Sequence, residues 1–217
     1  MKECFYFYPS MPIVFQKETP DVIVSVWKIN EPSTFFLNHL PAEEKNLPSA
    51  YEERNATWLA ARYLLHLLTD QPEIIKDLNQ KPFLANDDRY ISISHSFDIA
   101  AVMLAHKPCG IDIEKDLPRL ERIASKFIDA GDLEKLRSNP FYTDNLYKIW
   151  CAKEAMFKAY GLGQIDFKKH LHPDIHSIIA QQSTFNGELI KDTIRLSFKF
   201  NYEKILQQYH LVYGCIY

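Results

Sequence analysis

The sequence predicts an α+β fold, and three observations carry that prediction. Two long segments, Tyr51 to Thr69 and Leu146 to Tyr160, repeat apolar residues every three or four positions, as amphipathic helices do. Each is followed later by paired strand patterns. The run Thr57-Trp58-Leu59-Ala60-Ala61-Arg62 also echoes Ile149-Trp150-Cys151-Ala152-Lys153-Glu154. Two related α+β halves joined near Lys107 would produce such an echo.

Each element has its own local reason. Val22 to Ile29 is β-branched and apolar, so it reads as a strand. Leu40-Pro41-Ala42-Glu43-Glu44 opens a helical region with acidic residues in its first turn. In the next helix Trp58, Ala61, Leu65 and Leu68 recur on one face, with Leu64 alongside, and Gln71-Pro72 ends it. Leu78 to Asp88 is polar and rich in turn formers. Ile91 to Ser94 alternates apolar and hydroxyl residues. Ile99 to Ala105 is nearly all apolar, which suits a central strand. After a break at Pro108-Cys109-Gly110, Ile111 to Glu114 is a short alternating strand. Helical patterns follow at Leu120 to Phe127, at Leu133 to Leu136 and at Leu146 to Tyr160, the last stopped by Gly161 and Gly163. The chain returns to strands through Ile194 to Phe200 and Tyr209 to Tyr217.

Composition narrows the function classes. The 217 residues are 47% hydrophobic and 24% charged, an ordinary globular balance able to bury a core without staples. A net charge of -3 disfavours a generally basic nucleic-acid binder. Cys4, Cys109, Cys151 and Cys215 form no CxxC pair and no zinc spacing, so they read as reduced thiols. The start of the chain does not read as a signal peptide, and no stretch approaches the ~20 apolar residues that span a bilayer. These features predict a soluble, cytoplasmic protein.

Three segments carry chemistry. In Gly110-Ile111-Asp112-Ile113-Glu114, strand alternation puts both carboxylates on one face, roughly 7 Å apart at Cα. Like charges that close repel unless water or a cation lies between them. Gly110 would admit a ligand close to the backbone. A solvated edge strand would also carry this pattern. In Trp150-Cys151-Ala152-Lys153-Glu154-Ala155-Met156-Phe157-Lys158, Glu154 and Lys158 stand one turn apart, which also suits a surface ion pair. Lys153 falls inside the apolar arc, where it must snorkel or reach a buried anion. In Ser92-Ile93-Ser94-His95-Ser96, a strand ending at Ser94 would set hydroxyls and an imidazole at the loop leaving it, suited to a phosphate or to capping a turn. With no G-x-S-x-G elbow, a Ser-His-Asp hydrolase fits poorly.

Together these segments resemble the signature of the phosphopantetheinyl transferase superfamily. Gly110-Ile-Asp-Ile-Glu114 and Trp150-x-x-Lys153-Glu154-x-x-x-Lys158 stand in its order and spacing. The upstream Lys81-Pro82 and Ser94-His95-Ser96 are similar to the surfactin-synthetase-activating type, and the resemblance runs from about Arg54 to Gly163. It implies a pseudodimer of two similar α+β halves, residues 1–107 binding coenzyme A and 108–217 holding the metal and the catalytic groups, with the active site in the cleft between them. It implies transfer of phosphopantetheine from coenzyme A to a serine of an acyl or peptidyl carrier protein. Asp112, Glu114 and Glu154 would hold magnesium, or manganese in its place, with pyrophosphate oxygens. Asp112, Glu154 and Lys158 would be catalytic. Lys158 would meet a phosphate of the leaving group, and Glu154 would take the serine proton, directly or through metal-bound water. Arg54, Lys81, Pro82, Ser94, His95 and Lys158 would hold coenzyme A. Lys168, Lys169 and Phe167 are candidates for carrier docking. With both halves of the site in one chain, a monomer is expected, with no nucleic-acid or membrane partner. Two departures stand out: Gln80 replaces the usual glycine before Lys-Pro, and Lys45 is followed by Asn46, Leu47 and Pro48 where basic residues are common. The alternatives are a metal-dependent hydrolase of a nucleotide pyrophosphate and a non-catalytic module that binds carrier proteins.

Overall fold

The computed structural model describes residues 12–42, 52–70 and 72–217, with backbone alone for 52–54. The first part of the chain runs β1 (Ile13–Glu18), β2 (Val22–Lys28), α1 (Ser33–His39), α2 (Glu52–Leu68), β3 (Ile74–Lys76), β4 (Pro82–Leu84), β5 (Tyr90–Ser96) and β6 (Ile99–Ala105). The second part runs β7 (Cys109–Lys115), α3 (Ala124–Phe127), α4 (Ala130–Arg137), α5 (Tyr142–Tyr160), β8 (Leu171–Pro173), α6 (Ile175–Ile179), β9 (Thr184–Lys191), β10 (Ile194–Ile205) and β11 (Tyr209–Ile216). The mixed α and β content agrees with the expected class.

One antiparallel sheet has the order β1-β2-β6-β5 and the other β7-β11-β10-β9-β8; β3 and β4 form a separate hairpin. Both sheets share an arrangement. A strand (β2 or β7) leads into helices, and the chain returns as a hairpin whose second strand (β6 or β11) pairs with the first. Strand alternation explains the layering. On one face of the first sheet, Trp27, Ala100, Val102 and Leu104 pack under α1 and α2. On the other, Val24, Val26, Ile99, Ala101 and Met103 meet Ile111, Ile113, Tyr209, Leu211 and Tyr213 of the second sheet in one shared core. The second sheet's far face buries Val212, Phe198 and Phe200 against α5.

Several expectations are adjusted. β6 is buried along its whole length and central, as its apolar run predicts. The strand expected at Ile91 to Ser94 continues to Ser96, because His95 and Ser96 pair with Ala100 and Ile99 across a hairpin. The helix expected to open at Leu40 is corrected at its start: Leu40 closes the preceding α1, its N–H donating to the Phe36 carbonyl. The acidic turn at Glu43 and Glu44, and Cys4 and Lys45, lie outside the described residues. Lys153 finds carbonyls rather than an anion; its ammonium donates to Phe167 O and Leu171 O, both at 2.6 Å. Burial lowers its pKa to about 8. Among the described residues, no helix is long and apolar enough to cross a membrane.

Candidate active site

The site is built where β7, β5 and α5 converge. β7 is an edge strand of its sheet, so alternate backbone N–H groups face away from β11. These do not go to water. Ile111 N–H donates to Ser92 Oγ (3.0 Å), Ile113 N–H to Ser94 Oγ (3.3 Å) and Lys115 N–H to Ser96 Oγ (3.2 Å). Two of these hydroxyls then donate onward. Ser94 Oγ reaches Asp112 Oδ1 at 2.8 Å, and Ser96 Oγ reaches Glu114 Oε2 at 3.0 Å. The alternation of Ser92, Ser94 and Ser96 therefore matches the alternation of Asp112 and Glu114, strand against strand.

α5 supplies the other wall, and Gly110 is the reason it comes so close. A Cβ at residue 110 would sit 1.9 Å from the Ala155 carbonyl oxygen. The glycine expected to admit a ligand instead admits the helix backbone. That approach lets Lys158 reach the strand, where its ammonium donates to Asp112 Oδ1 (2.8 Å) and Ile111 O (2.9 Å). Gly161, in the left-handed region at φ +74°, ends α5 as the sequence predicts.

The electrostatics are tense. Asp112 is 5% exposed, and its Oδ2 is buried without a hydrogen-bond partner. Burial and then the Asp112 charge push Glu154 up to about 7, with Lys158 pulling the other way and Glu114 adding to the push. Burial and the Asp112 charge also raise Glu114, against the stabilising contacts of Ser96, Arg119 and Trp150. The donor set fits a hard divalent cation, which would partner the orphaned Oδ2 and relieve the mutual repulsion. The carboxylate oxygens are not gathered for it: among the described residues, the acidic and histidine groups with ligand atoms all within 4.8 Å of one another are Asp116, Asp144 and His210.

The expected nucleotide-binding residues are placed as follows. Lys81 lies over the end of α5, its ammonium donating to Ala159 O and its stem against Gly161, and burial lowers its pKa. Lys81, Pro82, Ile91, Phe157, Lys158 and Gly161 line a cavity of about 250 Å³ beside the acidic strand. A second cavity of about 420 Å³ adjoins it through Lys81, Pro82 and Gly161 and runs along Asp87, Arg89 and Tyr160. Gln80, in the place of the usual glycine, holds φ +66° within a turn organised by Asp77, whose Oδ1 accepts the N–H groups of Asn79 and Lys81. Ser94 is committed to Asp112 and Ile113, while His95 is exposed. Because β5 runs through both, they point to opposite faces rather than leaving together in a loop. Arg54 is in the first turn of α2, its side chain outside the described residues. Arg62 packs over the Trp58 ring, 3.3 Å from its centroid. Sequence reasoning missed Ser92 and Ser96 as supports of the acidic strand; their two-residue spacing beside Ser94 was the available signal.

Residues 108–213 match the model of the 4'-phosphopantetheinyl transferase superfamily. The chain is 29% identical over 123 residues to 4'-phosphopantetheinyl transferase gsp of Aneurinibacillus migulanus, covering 54% of this chain and 52% of that protein. It is 35% identical over 86 residues to a 4'-phosphopantetheinyl transferase of Bacillus subtilis, covering 38% of each. It is 33% identical over 93 residues to 4'-phosphopantetheinyl transferase Sfp of Bacillus subtilis strain 168, covering 40% of this chain and 42% of that one. The chain thus spans about half the length, or less, of the relatives it matches.

Proposed function

We propose, from the premise that the chain belongs to the 4'-phosphopantetheinyl transferase superfamily through residues 108–213, that it transfers phosphopantetheine from coenzyme A to a serine of an acyl or peptidyl carrier protein. The observation that carries this reading is the buried Asp112 carboxylate, with one oxygen on Lys158 and Ser94 and the other without a partner. We read residues 1–107 and 108–217 as the two halves of a pseudodimer. The repeated strand order and the two tryptophan-bearing helices support that division. The coenzyme A nucleotide then lies in the cavities between them, against Lys81, Pro82 and Lys158. For Arg54 and His95 a part in holding coenzyme A rests on the resemblance alone.

Asp112, Glu114 and Glu154 would hold magnesium or manganese. When bound, the ion polarises the phosphoryl group and offsets charge on the departing bisphosphate. The chain's own residues do the rest. Ser94 and Ser96 hold Asp112 and Glu114 in fixed orientation through hydroxyls that are themselves fixed by β7 N–H groups. Lys158 turns toward a phosphate oxygen once substrate charge competes with Asp112 for its ammonium. The carrier serine oxygen attacks the phosphorus that bears pantetheine. The bond from that phosphorus to the bridging oxygen breaks, and adenosine 3',5'-bisphosphate leaves. The serine proton passes to Glu154, which faces the acidic strand from α5. A monomer in the cytoplasm is part of the same reading.

The test is to mix the protein with magnesium, coenzyme A and several apo carrier proteins and weigh the carriers. A gain of the phosphopantetheine mass is expected, with turnover reduced in Glu154→Gln. Coenzyme A cleaved with every carrier unchanged would overturn transfer in favour of pyrophosphate hydrolysis.

A further inference from the structure

His210 on β11 is fully buried, yet its Nε2 has no hydrogen-bond partner. The ring is held firmly. Tyr147 stacks on it at 4.5 Å and 9°, and Tyr202 Oη lies 3.0 Å from Nδ1. The orphan nitrogen faces two carboxylates, Asp116 Oδ2 at 3.8 Å and Asp144 Oδ1 at 4.0 Å. Those gaps are too long for hydrogen bonds. They are near the ~3.3 Å that separates two ligand atoms each ~2.0–2.2 Å from a shared tetrahedral ion. Asp116 is exposed and free to close the remainder, and all three ligand atoms already lie within 4.8 Å of one another.

The geometry points to a second divalent-cation site, formed by Asp116, Asp144 and His210 and suited to zinc or a similar first-row transition ion. Nitrogen and two carboxylates favour such ions over magnesium. With Nε2 on the ion, Nδ1 carries the proton and donates it to Tyr202 Oη, the usual way a ligating imidazole is oriented. Burial pushes the His210 pKa down to about 4, so the ring is in its neutral, ligating form. The site shares no residue with the carboxylates proposed for magnesium, although His210 stands opposite Glu114 on the neighbouring strand. It would tie the end of β7 and the first turn of α5 to β11, fixing the helix whose other end carries Glu154 and Lys158. The natural competitor is Lys204, whose ammonium donates to Asp144 Oδ1 at 2.7 Å. This inference stands independently of the transferase reading.

The test is zinc titrated into the full chain by calorimetry in excess magnesium, with thermal unfolding recorded alongside. One zinc per chain is expected, with a rise in melting temperature by linkage. Asp116→Asn, at an exposed position, should weaken binding by ~10-fold or more, removal of a ligand costing at least what loss of an outer partner does. Lys204→Met should tighten it, and Glu154→Gln should leave it unchanged. The proposal is overturned by the absence of saturable zinc binding, as a bridging water would give. Equal affinity in Asp116→Asn, weaker affinity in Lys204→Met, or loss of affinity in Glu154→Gln would overturn it as well.

Discussion

At the scale of single residues, backbone conformation and charge give separable predictions. Gln80 sits at φ +66°, where a side chain costs ~1–2 kcal/mol. Glycine there removes that cost but adds ~0.5–1 kcal/mol of unfolded-state entropy. Gln80→Gly should therefore stabilise the protein by roughly 0.5 kcal/mol in urea unfolding; a loss of stability would contradict the strain argument. Asp87 is a case of charge. Hydrogen bonds from the Arg89 guanidinium, above all, hold its carboxyl at about 2, below its ordinary 3.8. A depressed carboxylate lends stability above its unfolded pKa and loses it as pH falls through the folded one. The wild type should lose ~1 kcal/mol between about pH 4 and 2, solvent screening having reduced the full linkage value. Asp87→Asn should flatten that part of the stability curve, and an unchanged acid slope would count against the pairing.

Among elements, the seam between β5 and β7 is the unusual one. Ser92 is 4% exposed and accepts Ile111 N–H without touching a carboxylate, so its loss leaves the hydrogen bonds of Asp112 and Glu114 in place. Ser92→Ala leaves that N–H buried and unpaired, and should cost ~1–3 kcal/mol in chemical denaturation. A cost below ~0.5 kcal/mol would mean that water replaces the hydroxyl. The seam also marks the limit of what the sequence could say. Elements with a strong local period were legible: the apolar run of β6, the helical spacing of α2 and α5, and the αL stop at Gly161. Asp112 and Glu114 were legible as a shared strand face for the same reason. The contacts of Ser92, Ser94 and Ser96 were not, because hydroxyls at alternate positions look alike whether they meet solvent, a phosphate or a neighbouring strand. Gly110 carried no sign of whether helix or ligand would occupy the space above it. β1 and β8 escaped because they are edge strands without continuous apolar runs, as the exposed outer half of β1 illustrates; β9 is interior, but only Phe185, Gly187 and Leu189 of it are buried, and Gly187 breaks the apolar alternation.

For the whole molecule, the central core decides how independent the halves are. Ile111, Ile113, Tyr209, Leu211 and Tyr213 of the second sheet are covered by Val24, Val26, Ile99, Ala101 and Met103 of the first. Expressed alone, residues 108–217 would present that apolar face to water. The fragment should show no cooperative thermal transition and should associate, whereas the full chain melts cooperatively. A fragment that melts as a monomer with a sharp transition would show that the shared core is dispensable. The serine seam has one more consequence. Because β5 and β7 are fastened by side chains rather than by a backbone ladder, the join works as a hinge pin with three rivets of unequal duty. A change at Ser92 slackens the join alone, whereas a change at Ser94 or Ser96 also lets go of an acid.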